Sequence, residues 1–133
     1  MDANERVPVT ASLSPERLAQ LFPVLTPAQI ERFAAVGRTR TMERGEILVG
    51  PGERLPRFYV VLEGDIEILQ ADGNDRLISI LRPGMFTGEV TMLSGRGVMV
   101  RLRAGASGSL IEIENARMLS LVQTDDELGD LVL

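Results

Sequence analysis

The fold of this chain is decided by the stretch FYVVLEGDIEILQ, residues 58–70. Its first half is a short apolar run rich in aromatic and β-branched residues, and its second half alternates charged with apolar side chains. Gly64 separates the two halves. Alternation with a period of two is typical of β-strands, and an isolated glycine is typical of a turn between them. The stretch therefore predicts two strands, 58–62 and 65–70, with apolar side chains facing a core and charged side chains facing solvent.

The same pattern of short strands and tight turns continues on both sides of this stretch. Turn residues recur every few positions, as in Gly50-Pro51-Gly52 and Pro83-Gly84. The further predicted strands cover residues 38–42, 46–49, 76–81, 98–103 and 110–113. About seven or eight short strands of this kind are typical of a jelly roll. The sequence thus predicts a mainly β domain.

Helices are predicted before the strands. Ser14 and Thr26 each stand before a proline, where the hydroxyl can cap a helix and the proline fits the first turn. Thr26 is followed by a glutamine at capping-box spacing, and the apolar pattern of this second helix stops near Gly37. Residues 1–12 show no period, so we expect a loosely ordered arm there and one domain over 13–133.

Two further helices are predicted after the strands. Asn115 is a candidate cap for the first, and Thr124 opens the second with an acidic residue three positions later. A helix that starts at Thr124 is short when the chain stops at Leu133, and a helix of that length is marginal by itself. We therefore expect a module of a larger polypeptide, with a short or truncated final helix.

The composition excludes many kinds of chemistry. The 133 residues, 44% of them hydrophobic and 25% charged, are usual for one folded domain. The sequence contains no cysteine, no histidine and no lysine, since all 14 basic residues are arginine. Disulfides, Cys/His zinc sites, thiol or imidazole catalysis and Schiff-base chemistry are therefore excluded. We expect a binding protein with no metal, no cofactor and no enzymatic activity.

Charge and hydropathy exclude two kinds of partner. The net charge is −5 and the arginines are scattered, so direct binding to nucleic acid is not expected. There is no uninterrupted run of 18 apolar residues and no secretory signal pattern. We therefore expect no membrane span and a cytoplasmic location.

The segment FTGEVTMLSGR, residues 86–96, contains the candidate site. Free backbone N–H groups at the start of a helical turn after Gly88 can hold a phosphate. The guanidinium of Arg96 can add a two-pronged, charge-assisted hydrogen bond to the same phosphate. Glu89 would repel phosphate and is better suited to accept hydrogen bonds from sugar hydroxyls. This combination suits a ligand with a phosphate joined to a ribose.

The order of these motifs resembles the cyclic nucleotide-binding domain of the catabolite activator protein and of kinase regulatory subunits. The resemblance covers about residues 21–133 and rests on Gly45-Glu46-Ile47, Gly52, FYVVL at 58–62, Gly64-Asp65-Ile66, Pro83-Gly84, Gly88-Glu89 and Arg96. It implies an eight-stranded jelly-roll barrel, also called a double-stranded β-helix, flanked by N-terminal and C-terminal helices. It also implies a phosphate-binding segment between two strands and a C-terminal helix that acts as a lid.

The resemblance also implies roles for single residues. Glu89 would hold the ribose 2′-hydroxyl and Arg96 the cyclic phosphate. The other ligand-binding positions that it implies are Gly88, Val90, Gly97 and Val98. The expected function is therefore regulatory: a cyclic nucleotide such as cAMP or cGMP, or a related sugar phosphate, binds and the signal passes to an effector in a longer chain or a separate protein. Residues 86–96 also resemble the sensor domain that precedes thioredoxin-reductase-like flavoproteins in some bacteria.

Two departures from the family pattern keep an alternative open. Glu89 and Arg96 are seven positions apart, fewer than is common in the family, and Met99 cannot donate the hydroxyl hydrogen bond that often assists recognition. The alternative is a degenerate jelly roll that no longer binds nucleotide and serves as an interaction or homodimerisation module. A cupin-like enzyme would share the barrel, but without histidine its metal centre would need carboxylates alone.

Overall fold

The computed structural model describes residues 7–21, 23–50, 57–70, 76–87 and 100–132. The helices are α1 (Pro15–Leu21), α2 (Pro27–Val36), α3 (Asn115–Thr124) and α4 (Asp126–Val132), and the strands are β1 (Arg38–Met42), β2 (Ile47–Val49), β3 (Arg57–Gln70), β4 (Arg76–Leu81) and β5 (Val100–Glu114). The strands form an antiparallel sheet in the order β1-β5-β3-β4, and β2 also pairs with β5. The prediction of a mainly β domain with helices at both ends is confirmed.

Strands β3 and β5 are longer than the sequence predicted. The predicted strands 58–62 and 65–70 are one strand, and the predicted strands over 100–103 and 110–113 are both parts of β5; residues 98 and 99 lie outside the described part. Pairing continues because register shifts at residues 61–66 of β3 let both strands bend together. Gly64 adopts a φ of +81°, and a Cβ on Gly108 would lie 2.0 Å from the carbonyl oxygen of Glu63. Two glycines therefore permit a bend where a break was predicted.

Burial along β3 differs from the predicted alternation. Ile66 and Ile68 are buried as expected, but Asp65 and Glu67 are also buried, with 8% and 6% of their surface exposed. The prediction that the charged side chains of this strand face solvent is therefore wrong. β3 lies between β5 and β4 in the sheet, and Glu67 accepts hydrogen bonds from Arg103 of β5. The neighbouring strands thus bury Glu67 and supply its ion-pair partner, although the local sequence pattern predicted that its side chain faces solvent.

The core consists of two clusters of buried apolar side chains. The barrel cluster comprises Met42, Val49, Tyr59, Val61, Ile66, Ile68, Leu81, Leu102, Ala104 and Leu110. The helix-side cluster comprises Leu25, Phe33, Phe58, Val60, Phe86, Ile111, Ile113, Met118 and Leu128. Residues 58–62 of β3 point alternately into the two clusters, because side chains alternate across a strand. Helices α2, α3 and α4 therefore pack on one face of the strands whose other face fills the barrel, and Leu18 of α1 packs against the barrel cluster.

The N-terminal helices begin where the sequence predicts. The amide of Arg17 donates to the hydroxyl of Ser14 before α1. The side chains and amides of Thr26 and Gln29 form the reciprocal capping box at the start of α2, which ends before Gly37. Both predicted starts are confirmed.

The N-caps of the two C-terminal helices each differ from the prediction by one residue. Glu114, not Asn115, precedes the first turn of α3, and among the described residues no side chain caps that turn. Asp125, not Thr124, caps α4, because its carboxylate accepts from the amide of Leu128 at 3.1 Å. The Thr124 hydroxyl instead donates to the Ser120 carbonyl. In the described ranges, no helix has the length and apolar character needed to cross a membrane.

Part of the arm expected over residues 1–12 has regular structure. Val9–Ser12 form a 3-10 helix, and the hydroxyl of Thr10 donates to that of Ser79 on β4 at 3.0 Å. Ser79 is buried. Residues 1–6 lie outside the described part. The arm is therefore tied at Thr10 to β4, which ends the sheet order among the described residues.

Candidate ligand-binding site

The six site residues predicted from the sequence lie in one segment of the chain. Residues 88–99 fall outside the described part, and they include Gly88, Glu89, Val90, Arg96, Gly97 and Val98. What the structure describes is the chain on either side of this segment. Those two flanks fix the positions of Thr87 and Val100, between which the segment lies in the chain.

The upstream flank is held by both backbone and side-chain hydrogen bonds. The amide of Thr87 donates to the carbonyl of Tyr59 at 2.9 Å, and the amide of Tyr59 donates to the Thr87 hydroxyl at 3.0 Å. Phe86 forms a bridge with Val60. Phe86 and Thr87 are both buried. Because Thr87 forms hydrogen bonds with both backbone polar groups of Tyr59, the residue that precedes Gly88 is fixed against β3.

The downstream flank is held by the same strand. Val100 begins β5 and pairs with Gln70, and Arg101 pairs with Leu69. Strand β3 therefore anchors both flanks of the segment, one near each of its ends. The sequence could not show this because it predicted two separate strands where the structure has the single strand β3.

An aromatic stack joins the upstream flank to the helices. The rings of Phe86 and Phe58 have centroids 5.5 Å apart, and those of Phe58 and Phe33 are stacked at 5.7 Å. Phe33 belongs to α2, and the same helix-side cluster contains Met118 of α3 and Leu128 of α4. The residue two positions before Gly88 therefore lies in the cluster on which the C-terminal helices pack.

Comparison with protein-family models identifies the domain. The model described as the cyclic nucleotide-binding domain matches residues 39–125, more than half of the chain and a range that contains the whole candidate segment. The chain belongs to the cyclic nucleotide-binding domain family.

Individual relatives support the same family. The chain is similar to the cyclic nucleotide-gated potassium channel mll3241 of Mesorhizobium japonicum, at 26% identity over 111 residues, which are 84% of this chain and 30% of the channel. A second relative is the putative potassium channel protein RPA4233 of Rhodopseudomonas palustris, at 28% identity over 82% of this chain and 26% of that protein. The chain thus spans less than a third of the length of either channel.

Solved structures confirm the predicted jelly-roll fold. One, from a cyclic-GMP-dependent signalling pathway that regulates bacterial phytopathogenesis, is similar with a TM-score of 0.65 and 26% identity over 82% of this chain and 88% of that chain. Another is the c-di-GMP-responsive global regulator CLP of Xanthomonas campestris, with a TM-score of 0.61 and 27% identity over 74% of this chain and 49% of that chain. The fold class expected from the sequence is therefore confirmed.

A partly buried ion pair in this cyclic nucleotide-binding domain was missed by the sequence reasoning. Arg103 of β5 donates from Nε and from one terminal nitrogen to Oε1 of Glu67, at 3.0 and 2.9 Å. The two residues face each other across the β3–β5 pairing. Opposite charges at alternating positions of two strands were the available signal, but the pairing register was needed to bring them together.

A ladder of charges lies across β1 and β5. Glu112 accepts from Arg38 at 2.6 Å and from Arg40 at 3.2 Å, and Arg40 also donates to Glu46 at 2.7 Å. The hydrogen bond from Arg40 and a second from the amide of Glu43 hold the pKa of Glu46 below its ordinary value. The same contact with Glu46 raises the pKa of Arg40 above its ordinary value. Each charge in the ladder is thus stabilised by a partner of opposite sign.

A cleft of about 300 Å³ opens beside this ladder, where α2, β1, β5 and α3 meet. The described residues that line it are Val36, Gly37, Arg38, Glu112, Glu114 and Arg117. Charges of both signs line the cleft, and Glu112 is already engaged by two arginines. The charges that line the cleft are therefore better explained as a structural ion-pair network than as a phosphate-binding site.

Proposed function

We propose that this chain is a regulatory domain that binds a cyclic nucleotide, cAMP or cGMP, or a related sugar phosphate, in the segment 88–99. Binding changes the position of neighbouring elements, and the signal passes to an effector without chemical turnover. The observation that carries the proposal is the family match over 39–125, within which Gly88-Glu89 and Arg96 supply the groups that a ribose and a phosphate require.

The residue roles follow from the chemistry of the ligand. Arg96 pairs with the cyclic phosphate, because a guanidinium presents two parallel donors to two phosphate oxygens. The backbone N–H groups around Gly88 and Val90 supply further donors to the same phosphate. Glu89 accepts from the ribose 2′-hydroxyl. Gly97 and Val98 line the pocket after the arginine, and the bulk of Val98 narrows it.

The flanks of the segment support a signalling role. Thr87 is fixed against β3, and Phe86 packs in the helix-side cluster with Met118 and Leu128. A ligand that repositions the segment after Thr87 therefore acts next to the side chains on which α3 and α4 rest. A ligand can shift such an arrangement only by binding its two forms with different affinity.

The effector belongs to the same proposal. Both channels that the chain resembles are several times its length, and the regulator CLP is about twice the length of the matched part. We infer that this domain serves a larger protein or a separate partner in the cytoplasm, and that it reports on a small ligand there.

The second candidate function is an interaction or homodimerisation module that has kept the fold and lost the ligand. The spacing of seven positions between Glu89 and Arg96 and the presence of Met99 favour it. In that case the segment 88–99 contributes to a protein surface and Arg96 makes a structural ion pair.

Calorimetric titration of the chain with cAMP and with cGMP tests the proposal. We expect binding of at least one nucleotide, and Arg96→Ala should weaken it by about ten- to a hundredfold, because a charge-assisted hydrogen bond to phosphate is lost. Arg44→Ala is the matched control, since Arg44 is an exposed arginine in the turn between β1 and β2. Absence of heat with both nucleotides at millimolar concentration would overturn the nucleotide assignment and favour the interaction module.

A further inference from the structure

The guanidinium of Arg32 joins α2 to the junction between α3 and α4. One terminal nitrogen donates to Oδ2 of Asp125 at 2.7 Å, and the other contacts the carboxylate of Glu127. Asp125 is the residue between the two helices, and Glu127 lies in the first turn of α4. The side chain of Arg32 on α2 therefore binds both the residue between α3 and α4 and a residue in the first turn of α4.

Asp125 ties this contact to the orientation of α4. Its second oxygen accepts from the amide of Leu128, and its backbone amide donates to the carbonyl of Leu121 at 2.9 Å. The residue thus ends α3 and caps α4 while it binds Arg32. A movement of α4 relative to α2 must break either the cap or the contact with Arg32.

The other attachment of α4 is apolar. Leu128 is fully buried in the helix-side cluster, together with Phe33, the residue that follows Arg32 on α2. α4 has only seven residues, and a helix of that length is marginal without tertiary contacts. Its position therefore depends on a polar attachment through Arg32 and on the apolar packing of Leu128 and Leu131 in the helix-side cluster, which also contains Phe33 of α2.

We propose that Arg32 is a positioning residue, a clamp that sets how readily α4 leaves α2 and thereby regulates the response of the domain to its ligand. The regulatory part rests on the proposed function. Phe86, in the upstream flank of the segment 88–99, packs in the same cluster as Leu128 and Phe33. The clamp and the candidate ligand site therefore act on one set of packed side chains.

The ion pairs of the clamp are partly exposed to solvent, so they can break and re-form at low energetic cost. The side chains of Arg32, Asp125 and Glu127 are 39%, 18% and 58% exposed. Ion pairs with this access to water contribute little to overall stability. A small contribution is nevertheless enough to change the population of a local opening that involves one short helix.

Hydrogen exchange of the unliganded chain tests the clamp independently of any nucleotide. In Arg32→Gln we expect the amides of residues 126–132 to exchange about three- to tenfold faster, while the urea midpoint of global unfolding changes little. Arg17→Gln, at an exposed arginine of α1, is the matched control and should leave this exchange unchanged. Adding Glu127→Gln to Arg32→Gln should have little further effect, because both substitutions remove the same contact. Unchanged exchange in Arg32→Gln overturns the clamp.

The same exchange measurement with saturating cAMP or cGMP tests the regulatory part. If the wild-type chain binds the nucleotide, we expect binding to alter exchange in residues 126–132, and to alter it less in Arg32→Gln, because the clamp no longer restrains α4. An equal change in both proteins overturns the regulatory link even if the clamp itself is confirmed. Failure of the wild-type chain to bind either nucleotide overturns the proposed function and this link, and leaves the result with the unliganded chain as the test of the clamp.

Discussion

The barrel cluster and the helix-side cluster share strands β3 and β5 but differ in the elements that close them. Every buried member of the barrel cluster lies on a strand. The helix-side cluster also takes Phe33 from α2, Met118 from α3 and Leu128 from α4. It contains all three phenylalanines that lie in the described part of the chain, Phe33, Phe58 and Phe86. The barrel cluster is therefore built from strands, with Leu18 of α1 packed against it, whereas the helix-side cluster combines strands with three helices.

This difference indicates how each cluster responds to disturbance. The strands of the barrel are held to their neighbours by the hydrogen bonds of the sheet, so a defect there is retained as a cavity. The helices α3 and α4 are held mainly by side-chain packing and ion pairs, so a defect there can be relieved by movement. The helix-side cluster is thus the part of the core suited to transmit a change, and the barrel cluster is the part that maintains the fold.

The largest expected effect compares two fully buried leucines, Leu102 in the barrel cluster and Leu128 in the helix-side cluster. Leu102→Ala should lower the free energy of unfolding by about 2–5 kcal/mol, as buried leucines do when a cavity remains. Leu128→Ala should lower the free energy of unfolding by less, because α4 can move away from the helix-side cluster and no cavity then remains. Urea unfolding measures both losses, and hydrogen exchange should show local release of residues 126–132 only in Leu128→Ala. Equal losses without local release would show that the two clusters respond alike.

The next effect concerns the bend that β3 and β5 make together at Gly64 and Gly108. A Cβ on Gly108 would lie 2.0 Å from the carbonyl oxygen of Glu63, so Gly108→Ala must push paired backbones apart. We expect a loss of about 3 kcal/mol, at the upper end for overpacking. Gly45→Ala is the control: its φ is +87°, and no described atom lies within 4 Å of the added methyl group. It should cost about 1 kcal/mol through backbone strain alone. Thermal unfolding that ranks Gly45→Ala as the more damaging substitution would contradict the close approach at the bend.

The smallest effect lies outside both clusters, in the charge ladder. Because Arg40 and the Glu43 amide hold the pKa of Glu46 below its unfolded value, the carboxylate stabilises the fold at pH values above that unfolded value. This contribution is lost as the pH falls through the lowered pKa. Glu46→Gln should therefore cost about 0.5 kcal/mol at pH 7 and less at about pH 3. Urea midpoints at both pH values measure the difference, with Glu43→Gln as an exposed control in the same turn. A cost for Glu46→Gln that does not change with pH would contradict an ionic origin.

Much of the fold could be predicted from local patterns. The capping box at Thr26 and Gln29 and the strand over 76–81 stand where the sequence indicates them. Such signals depend on residues that are near in the chain, so they survive without knowledge of the fold. The candidate site was also assigned from local order, as Gly88-Glu89 followed by Arg96, and the family match covers that segment. The role of each of its residues stays a prediction.

By itself, the sequence determined the fold class, the starts of α1 and α2, the family and the kinds of chemistry that the chain lacks the side chains to perform. The tertiary structure alone decided that β3 and β5 run unbroken through their bends, that Glu67 is buried against Arg103, and that Arg32 reaches across 93 residues to Asp125. The physical reason is range. Period, turn chemistry and caps act between residues a few positions apart, whereas burial, register and ion pairs depend on which distant strands and helices come together.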